Sequence, residues 1–92
     1  MSDDQFELVI SPTARRQLTD KFPELVAFAA YEFIIGPLLD NPRRVGKRLG
    51  PPLADRHGAR RGTYGVIYRI DETRHTVTVV AVVHRADDYR RG

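Results

Sequence analysis

The sequence predicts a two-layer α+β domain, on three observations. Ninety-two residues suffice for one domain with a modest core, so the natural limit is one sheet packed on one or two helices. The N-terminal half carries two proline-marked helix starts, Pro12 and Pro23, each followed by apolar residues at helical spacing. The C-terminal half alternates apolar and polar residues and is rich in valine, isoleucine and threonine. The expected order is β-α-α-β-β-β, and residues 1–92 read as a single domain without repeats or low-complexity tracts.

Phe6-Glu7-Leu8-Val9-Ile10 is a short β-prone run and the expected first strand. Ser11 can cap the helix that follows, and Pro12 fits its first position because the missing N–H has no helical partner there. That helix runs to about Lys21, with Ala14 and Leu18 inward at i, i+4. A second helix covers Glu24 to Ile35, with Leu25, Phe28, Ala29 and Phe33 as inward candidates. Val26, Ala30, Ile34 and Ile35 broaden its apolar stripe, so it is either deeply buried or partly covered by a partner. Gly36-Pro37 should end or kink it, and Leu38-Leu39 can add a last turn. Residues 43–52 form a basic loop punctuated by Gly and Pro. A short strand is expected within Leu53 to Arg60. From Thr63 to Ile70, Tyr64, Val66, Tyr68 and Ile70 share one face, opposite Thr63, Gly65, Ile67 and Arg69. Thr76 to Val83 is a β-branched run of the kind buried on both faces in a central strand.

Charge is unevenly placed. Residues 1–42 carry 3 basic and 7 acidic side chains, whereas residues 43–92 carry 12 basic and 5 acidic. Eleven of those 12 basic residues are arginine, whose planar fork suits bidentate phosphate contacts. Such a half-molecule reads as a polyanion-binding surface, against the blander alternative of a solvated arginine-rich face. The chain has no cysteine, so it has no disulfide and no thiolate metal site, which fits a cytoplasmic setting. No signal peptide is read at the acidic start. The longest apolar run, Leu25 to Ile35, contains Glu32 and is too short to span a bilayer, so no membrane partner is expected.

The block Ala59-Arg60-Arg61-Gly62-Thr63-Tyr64-Gly65-Val66-Ile67-Tyr68-Arg69-Ile70 resembles the pattern R-x-G-x-Y-R-V-x-Y-x-I of the RelE/ParE toxin superfamily. Val82-Val83-His84-Arg85 followed by Tyr89 resembles its C-terminal V-x-H-R-x-x-x-Y. Asn41-Pro42, Gly46-Lys47 and Leu49 resemble its loop N-P-x-x-x-G-K-x-L, and Pro12 to Leu18 resembles its first helix. Each match is weak singly, but in series they span nearly the whole chain in the right order. Within the superfamily the sequence resembles actinobacterial RelE-like mRNA interferases.

The resemblance implies a RelE-like fold, with two N-terminal helices packed on a small antiparallel sheet and room for a short C-terminal helix. It implies the toxin of a type II toxin–antitoxin pair, a ribosome-dependent endoribonuclease that cuts mRNA in the A site. The implied partners are a RelB-like antitoxin, the ribosome and mRNA, with operator DNA reached only through the antitoxin complex. No cofactor is implied. Two alternatives stay open: a ParE-like gyrase poison without nuclease activity, and a co-repressor that only binds antitoxin and operator.

RNA cleavage without a metal needs a 2′-hydroxyl aligned with the scissile phosphorus, a proton acceptor, a proton donor, and neutralisation of charge on the transition state. No His/Asp/Glu cluster here has metal-ligand spacing, so metal-independent chemistry is expected. By resemblance, Arg85 is the phosphate-stabilising arginine and Tyr89 the residue that positions substrate or shuttles a proton. His84 is a further acid–base candidate, since an imidazole titrates near neutrality. Alternation puts it opposite Arg85 if the strand continues that far. Lys47, Arg48, Arg60 and Arg61 are the expected RNA-binding residues. Tyr64 and Tyr68 share the face of Val66 and Ile70 and read as core.

One position departs from the family pattern. The residue after Tyr64 is arginine in the motif and is implied to contact the scissile phosphate; here it is Gly65. Losing one preorganised transition-state contact commonly costs about 10²–10³ in rate. Three readings stay open: an attenuated or inactive toxin, an introduced change, or compensation by Arg61 or Arg69. Arg69 stands roughly 13 Å along the same strand face.

Overall fold

A computed structural model describes residues 5–84. Strand β1 (Glu7–Ile10) leads into helix α1 (Pro12–Arg16), which widens into a π-helical turn over Gln17–Lys21. Helix α2 (Glu24–Phe33) continues likewise through Ile34–Leu38, followed by the single turn α3 (Pro42–Val45). Strands β2 (Lys47–Arg48), β3 (His57–Arg61), β4 (Tyr64–Asp71) and β5 (Thr76–His84) complete the described chain. The sheet order is β1-β5-β4-β3-β2.

The expected helix start is present in detail. The Ser11 hydroxyl accepts from the Ala14 N–H at 3.0 Å and donates to the Val80 carbonyl at 2.8 Å. One side chain thus caps α1 and pins it to β5. The Gln17 side-chain oxygen accepts from the Val82 N–H at 2.8 Å, a second pin on the same strand. Gly36-Pro37 does not end the second helix. Pro37 lacks the N–H that an α-turn would use, and the wider turn carries the chain past it. Leu38 and Leu39 then turn into the core.

Four strands are antiparallel, as expected, but β1 pairs parallel with β5, Glu7 opposite Thr76 and Ile10 opposite Val79. The helical layer accounts for this. It carries the chain from the end of β1 back across one face of the sheet, leaving β5 between β1 and β4.

The core lies between the helices and one face of the sheet. It holds Ala14, Phe22, Ala30, Phe33, Ile34, Leu38 and Leu39 from the helical layer, and Tyr64, Val66, Tyr68, Val77, Val79 and Val82 from the sheet. Two expectations are corrected here. In α2 the inward residues are Ala30 and Phe33, with Val26 partly buried. Leu25, Phe28 and Ala29 face outward, Leu25 being 82% and Phe28 62% exposed. Strand β5 buries one face only: Thr76, Thr78, Ala81 and Val83 are half-exposed on a side no helix covers. A bulge at Val80, between the pairs Tyr68–Val79 and Ile67–Ala81, keeps Val82 inward on the helix side.

Segment 43–52 is more ordered than a loop. Its approach to the sheet is set by Gly46, where a Cβ would fall 2.6 Å from the Gly58 carbonyl oxygen and closer still to the Tyr68 hydroxyl. Tyr68 is fully buried and donates to the Pro42 carbonyl at 2.5 Å. Together these contacts dock α3 and β2 against β3 and β4.

Candidate nucleic-acid interface

The β3–β4 hairpin turns through Gly62 and Thr63, with Gly62 at φ +56° as a two-residue turn requires. This turn fixes the register. Arg61 pairs with Tyr64, Arg60 with Gly65, Ala59 with Val66 and Gly58 with Ile67. Tyr64 and Val66 point into the core, so Arg60, Gly65, Gly58 and Ile67 belong to the open face. Adjacent strands extend the two rows: Val83 lies opposite Gly65, Ala81 opposite Ile67, and Lys47 opposite Gly58. Lys47 and Arg60 therefore sit diagonally on neighbouring strands, roughly 7–8 Å apart at the backbone.

Between them the open face sinks into a groove of about 620 Å³ with an apolar lining, including Leu49, Gly58, Gly65, Ile67 and Val83. Lys47, Arg60 and Arg61 stand on its wall, and among the described residues no carboxylate lines it. Neither cation has an ion-pair partner among the described residues. By contrast, Arg43 is paired with Glu72, its Nε donating to the Glu72 carboxylate at 2.6 Å. A paired arginine is partly neutralised, which no described residue does for Lys47 or Arg60.

Of the four expected RNA-binding residues, Lys47, Arg60 and Arg61 line the groove and Arg48 does not. The strand register sets Lys47 and Arg60 on the open face. Arg48 pairs with His57, opposite Tyr68, and so belongs to the helix side of the sheet edge. Arg61 also turns to the helix side. Its guanidinium lies 4.8 Å over the Phe33 ring and donates to the carbonyls of Arg60, at 2.8 Å, and Val45, at 3.4 Å. Arg61 thereby ties the end of β3 to α2 and to the turn preceding Lys47.

His84 pairs with Tyr64, and its ring centroid lies 5.3 Å from that of Phe22. It therefore stands on the helix side, opposite the groove. Arg85 and Tyr89 lie outside the described residues. Gly65 sits in the groove floor, and a Cβ there would meet only the Ala59 carbonyl oxygen at 3.6 Å, an ordinary contact. The backbone does not demand glycine at this position.

Several groove residues escaped sequence reasoning: Leu49, Gly58, Ile67 and Val83. The signal that could have found Gly58 and Ile67 is the Gly62-Thr63 turn, since a two-residue turn fixes every pair of the hairpin, whereas Leu49 and Val83 are placed by other strand pairings. His57 also escaped it. Burial, then Arg43 and Arg48, hold its imidazole below the usual histidine range. Burial raises the Tyr64 phenol and pushes that of Tyr68 up to about 12, with Arg61 opposing in both cases. Both tyrosines stay protonated and act as hydrogen-bond donors, Tyr64 to the Ala29 carbonyl at 3.3 Å. Among the described residues, no group of three or more His, Cys, Asp or Glu is placed to hold a metal ion, and no helix is long and apolar enough to cross a membrane.

Comparison with known proteins bears on the family and the fold. The model of the ParE toxin of the parDE type II toxin–antitoxin system matches residues 8–89. Toxin RelE of Mycobacterium tuberculosis is 45% identical over 91 residues, covering 98% of this chain and 93% of that protein. Toxin RelG of the same organism is 51% identical over 79 residues, covering 86% of this chain and 90% of that protein. The RelBE2 toxin–antitoxin complex of M. tuberculosis superposes with a TM-score of 0.85 at 43% identity, covering 88% of this chain and 99% of that one. The isolated E. coli RelE toxin, 18% identical with a TM-score of 0.70, shares the fold over 94% of this chain and 97% of its own. A match across almost the entire sheet and both helices, shared with two RelE-type relatives, makes this chain a member of the ParE toxin family and a RelE-like toxin of a type II toxin–antitoxin system.

Proposed function

We propose that this toxin is a metal-independent endoribonuclease that cuts mRNA in the ribosomal A site, attenuated by Gly65. The observation that carries the reading is the groove itself. Lys47 and Arg60, which have no ion-pair partner among the described residues, flank an open sheet face that none of the described carboxylates lines, beside the end of the strand that leads into Arg85. In this scheme Lys47 and Arg60 hold phosphates flanking the cut. The 2′-hydroxyl attacks the adjacent phosphorus, the bond to the 5′-oxygen breaks, and a 2′,3′-cyclic phosphate and a 5′-hydroxyl result. Arg85 neutralises the developing charge, and Tyr89 positions substrate or moves a proton. His84, on the helix side beside Phe22, stands outside this scheme. Arg48 adds an RNA contact from the edge, and Arg61 holds the Lys47 turn in place.

The partner proposed is a RelB-type antitoxin, in keeping with the toxin–antitoxin complexes among the similar structures. Its seat includes Leu25, Phe28, Tyr31 and Ile35, which recur along the outer face of α2 and are all exposed. Such a stripe fits an apolar helix or extended segment of a partner. Acidic antitoxin side chains would cover the groove. Operator DNA is reached through that complex.

Gly65 favours a second reading, since a groove floor without charge suits a toxin that binds gyrase and cuts no RNA. Mapping cleavage on translating ribosomes decides between them. The nuclease reading expects cuts within A-site codons, reduced about 10-fold or more in Lys47→Ala/Arg60→Ala through the loss of charge-assisted contacts. No cuts from the protein or from Gly65→Arg, together with DNA breakage in the presence of gyrase, would replace it.

A further inference from the structure

Gly58 and Gly65 lie diagonally on neighbouring strands of the open face. The Leu49 side chain packs over Gly58 on one side, where a Cβ would be only 3.2 Å from it, and the backbone of Gly65 on the next strand, about 4.8 Å away, is left bare. Ile67, in the row of Gly58, and Val83, beside Gly65, close the other side. The result is a flat floor between apolar walls, with Lys47 and Arg60 at its margin.

We propose that this hollow seats the flat face of a nucleobase, while Lys47 and Arg60 hold the phosphate of the same nucleotide. The inference rests on the RNA-binding reading of the groove and adds a base subsite to it. The charge pattern selects the occupant. A protein partner would need an apolar side chain for the hollow and separate acidic groups for the two cations, whereas a nucleotide supplies a planar apolar face and an anion on one short frame. Bare peptide also admits a planar ring closely, as a floor of side chains would not. Gly65 thus has a use as a flat floor as well as being a missing charge.

Equilibrium binding of AMP, GMP, CMP and ribose 5-phosphate to the full chain tests this. The purine nucleotides should bind about 5-fold or more tighter than ribose 5-phosphate, the lower end of the gain from stacking a base. Gly65→Leu fills the hollow and should abolish that difference. Ile67→Thr shortens one wall and adds a hydroxyl, and should reduce the same difference without changing the floor. Lys47→Ala should weaken all four ligands alike. Equal affinities for all four, undetectable binding, or a base preference that survives Gly65→Leu would overturn the proposal. So would a Gly65→Leu variant that loses antitoxin affinity yet keeps its nucleotide preference, since the hollow would then be a protein seat. The two readings fail separately: absent mRNA cleavage with an intact base preference removes only the nuclease reading, and cleavage without base preference removes only the base subsite.

Discussion

Arg60 and Gly65 face each other across the β3–β4 hairpin on the open side of the sheet, one a cation with no ion-pair partner among the described residues and the other bare backbone. A side chain introduced at position 65 would emerge beside the Arg60 guanidinium. The Ala59 carbonyl, at 3.6 Å from the new Cβ, sets no steric bar.

Gly65→Arg should therefore fold normally and cut mRNA about 10²–10³ faster, the usual worth of one preorganised transition-state contact. Its stem would also cross the hollow, so base preference should flatten as the rate rises. The rate gain exceeds the roughly 5-fold loss of base contact, so cleavage increases on balance. Unchanged cleavage on translating ribosomes would sink the alignment of Gly65 with the catalytic arginine.

Leu25→Glu and Phe28→Glu test the outer stripe of α2. Both side chains are largely solvent-exposed, so the free toxin should keep its denaturation midpoint. Antitoxin affinity should fall about 10–100-fold, as for apolar anchors in an interface centre. Titration calorimetry with the cognate antitoxin would give the answer, and unaltered affinity in both variants would remove α2 from the interface.

Gly46→Ala addresses the docking of the β2 segment. The added methyl meets the Gly58 carbonyl and the Tyr68 hydroxyl, both fixed in place. Overpacking of this kind costs about 1–3 kcal/mol, and the Lys47 turn should move away from the groove. A chemical denaturation curve should show the lower midpoint, with phosphate binding weakened in parallel. A midpoint equal to that of the parent would mean the loop is not held where it is described.

His57 gives the fold a pH dependence. Its folded-state pKa lies below that of an unfolded histidine, because burial and then Arg43 and Arg48 disfavour the imidazolium. As pH falls below about 6.5 the unfolded chain binds the proton first, so stability declines until the folded-state pKa is reached. Melting temperature should drop between pH 7.5 and 5, and His57→Gln should lessen that drop. An identical slope in the variant would exclude His57 as its source.

Different parts of this molecule were unequally legible in its sequence. Strand β4 was read correctly, because one buried face imposes strict alternation on Tyr64, Val66 and Tyr68. The cap of α1 was equally local, being carried by Ser11 and Pro12. The buried side of α2 was not legible, because the helix has two apolar stripes. The stripe of Val26, Ala30 and Phe33 meets the sheet, and that of Leu25, Phe28 and Ile35 does not. Only packing distinguishes them. The parallel course of β1 was hidden for a related reason, since a β-prone pentapeptide does not encode its neighbour. In the groove, cation chemistry was legible residue by residue, but facing was not. The strand register divides Lys47 and Arg60 from Arg48 and Arg61, and that division depends on pairings between distant segments.

The parallel pairing of β1 with β5 has a consequence for synthesis. Glu7 meets Thr76 and Ile10 meets Val79, so the first strand made waits for the last described one. Strand β5 is also the neighbour of β4 and the anchor for Ser11 and Gln17. A nascent chain that stops short of Thr76 has helices with nothing to pack on and a hairpin without its inner flank. Assembly of both layers therefore waits for Thr76–His84 to be made.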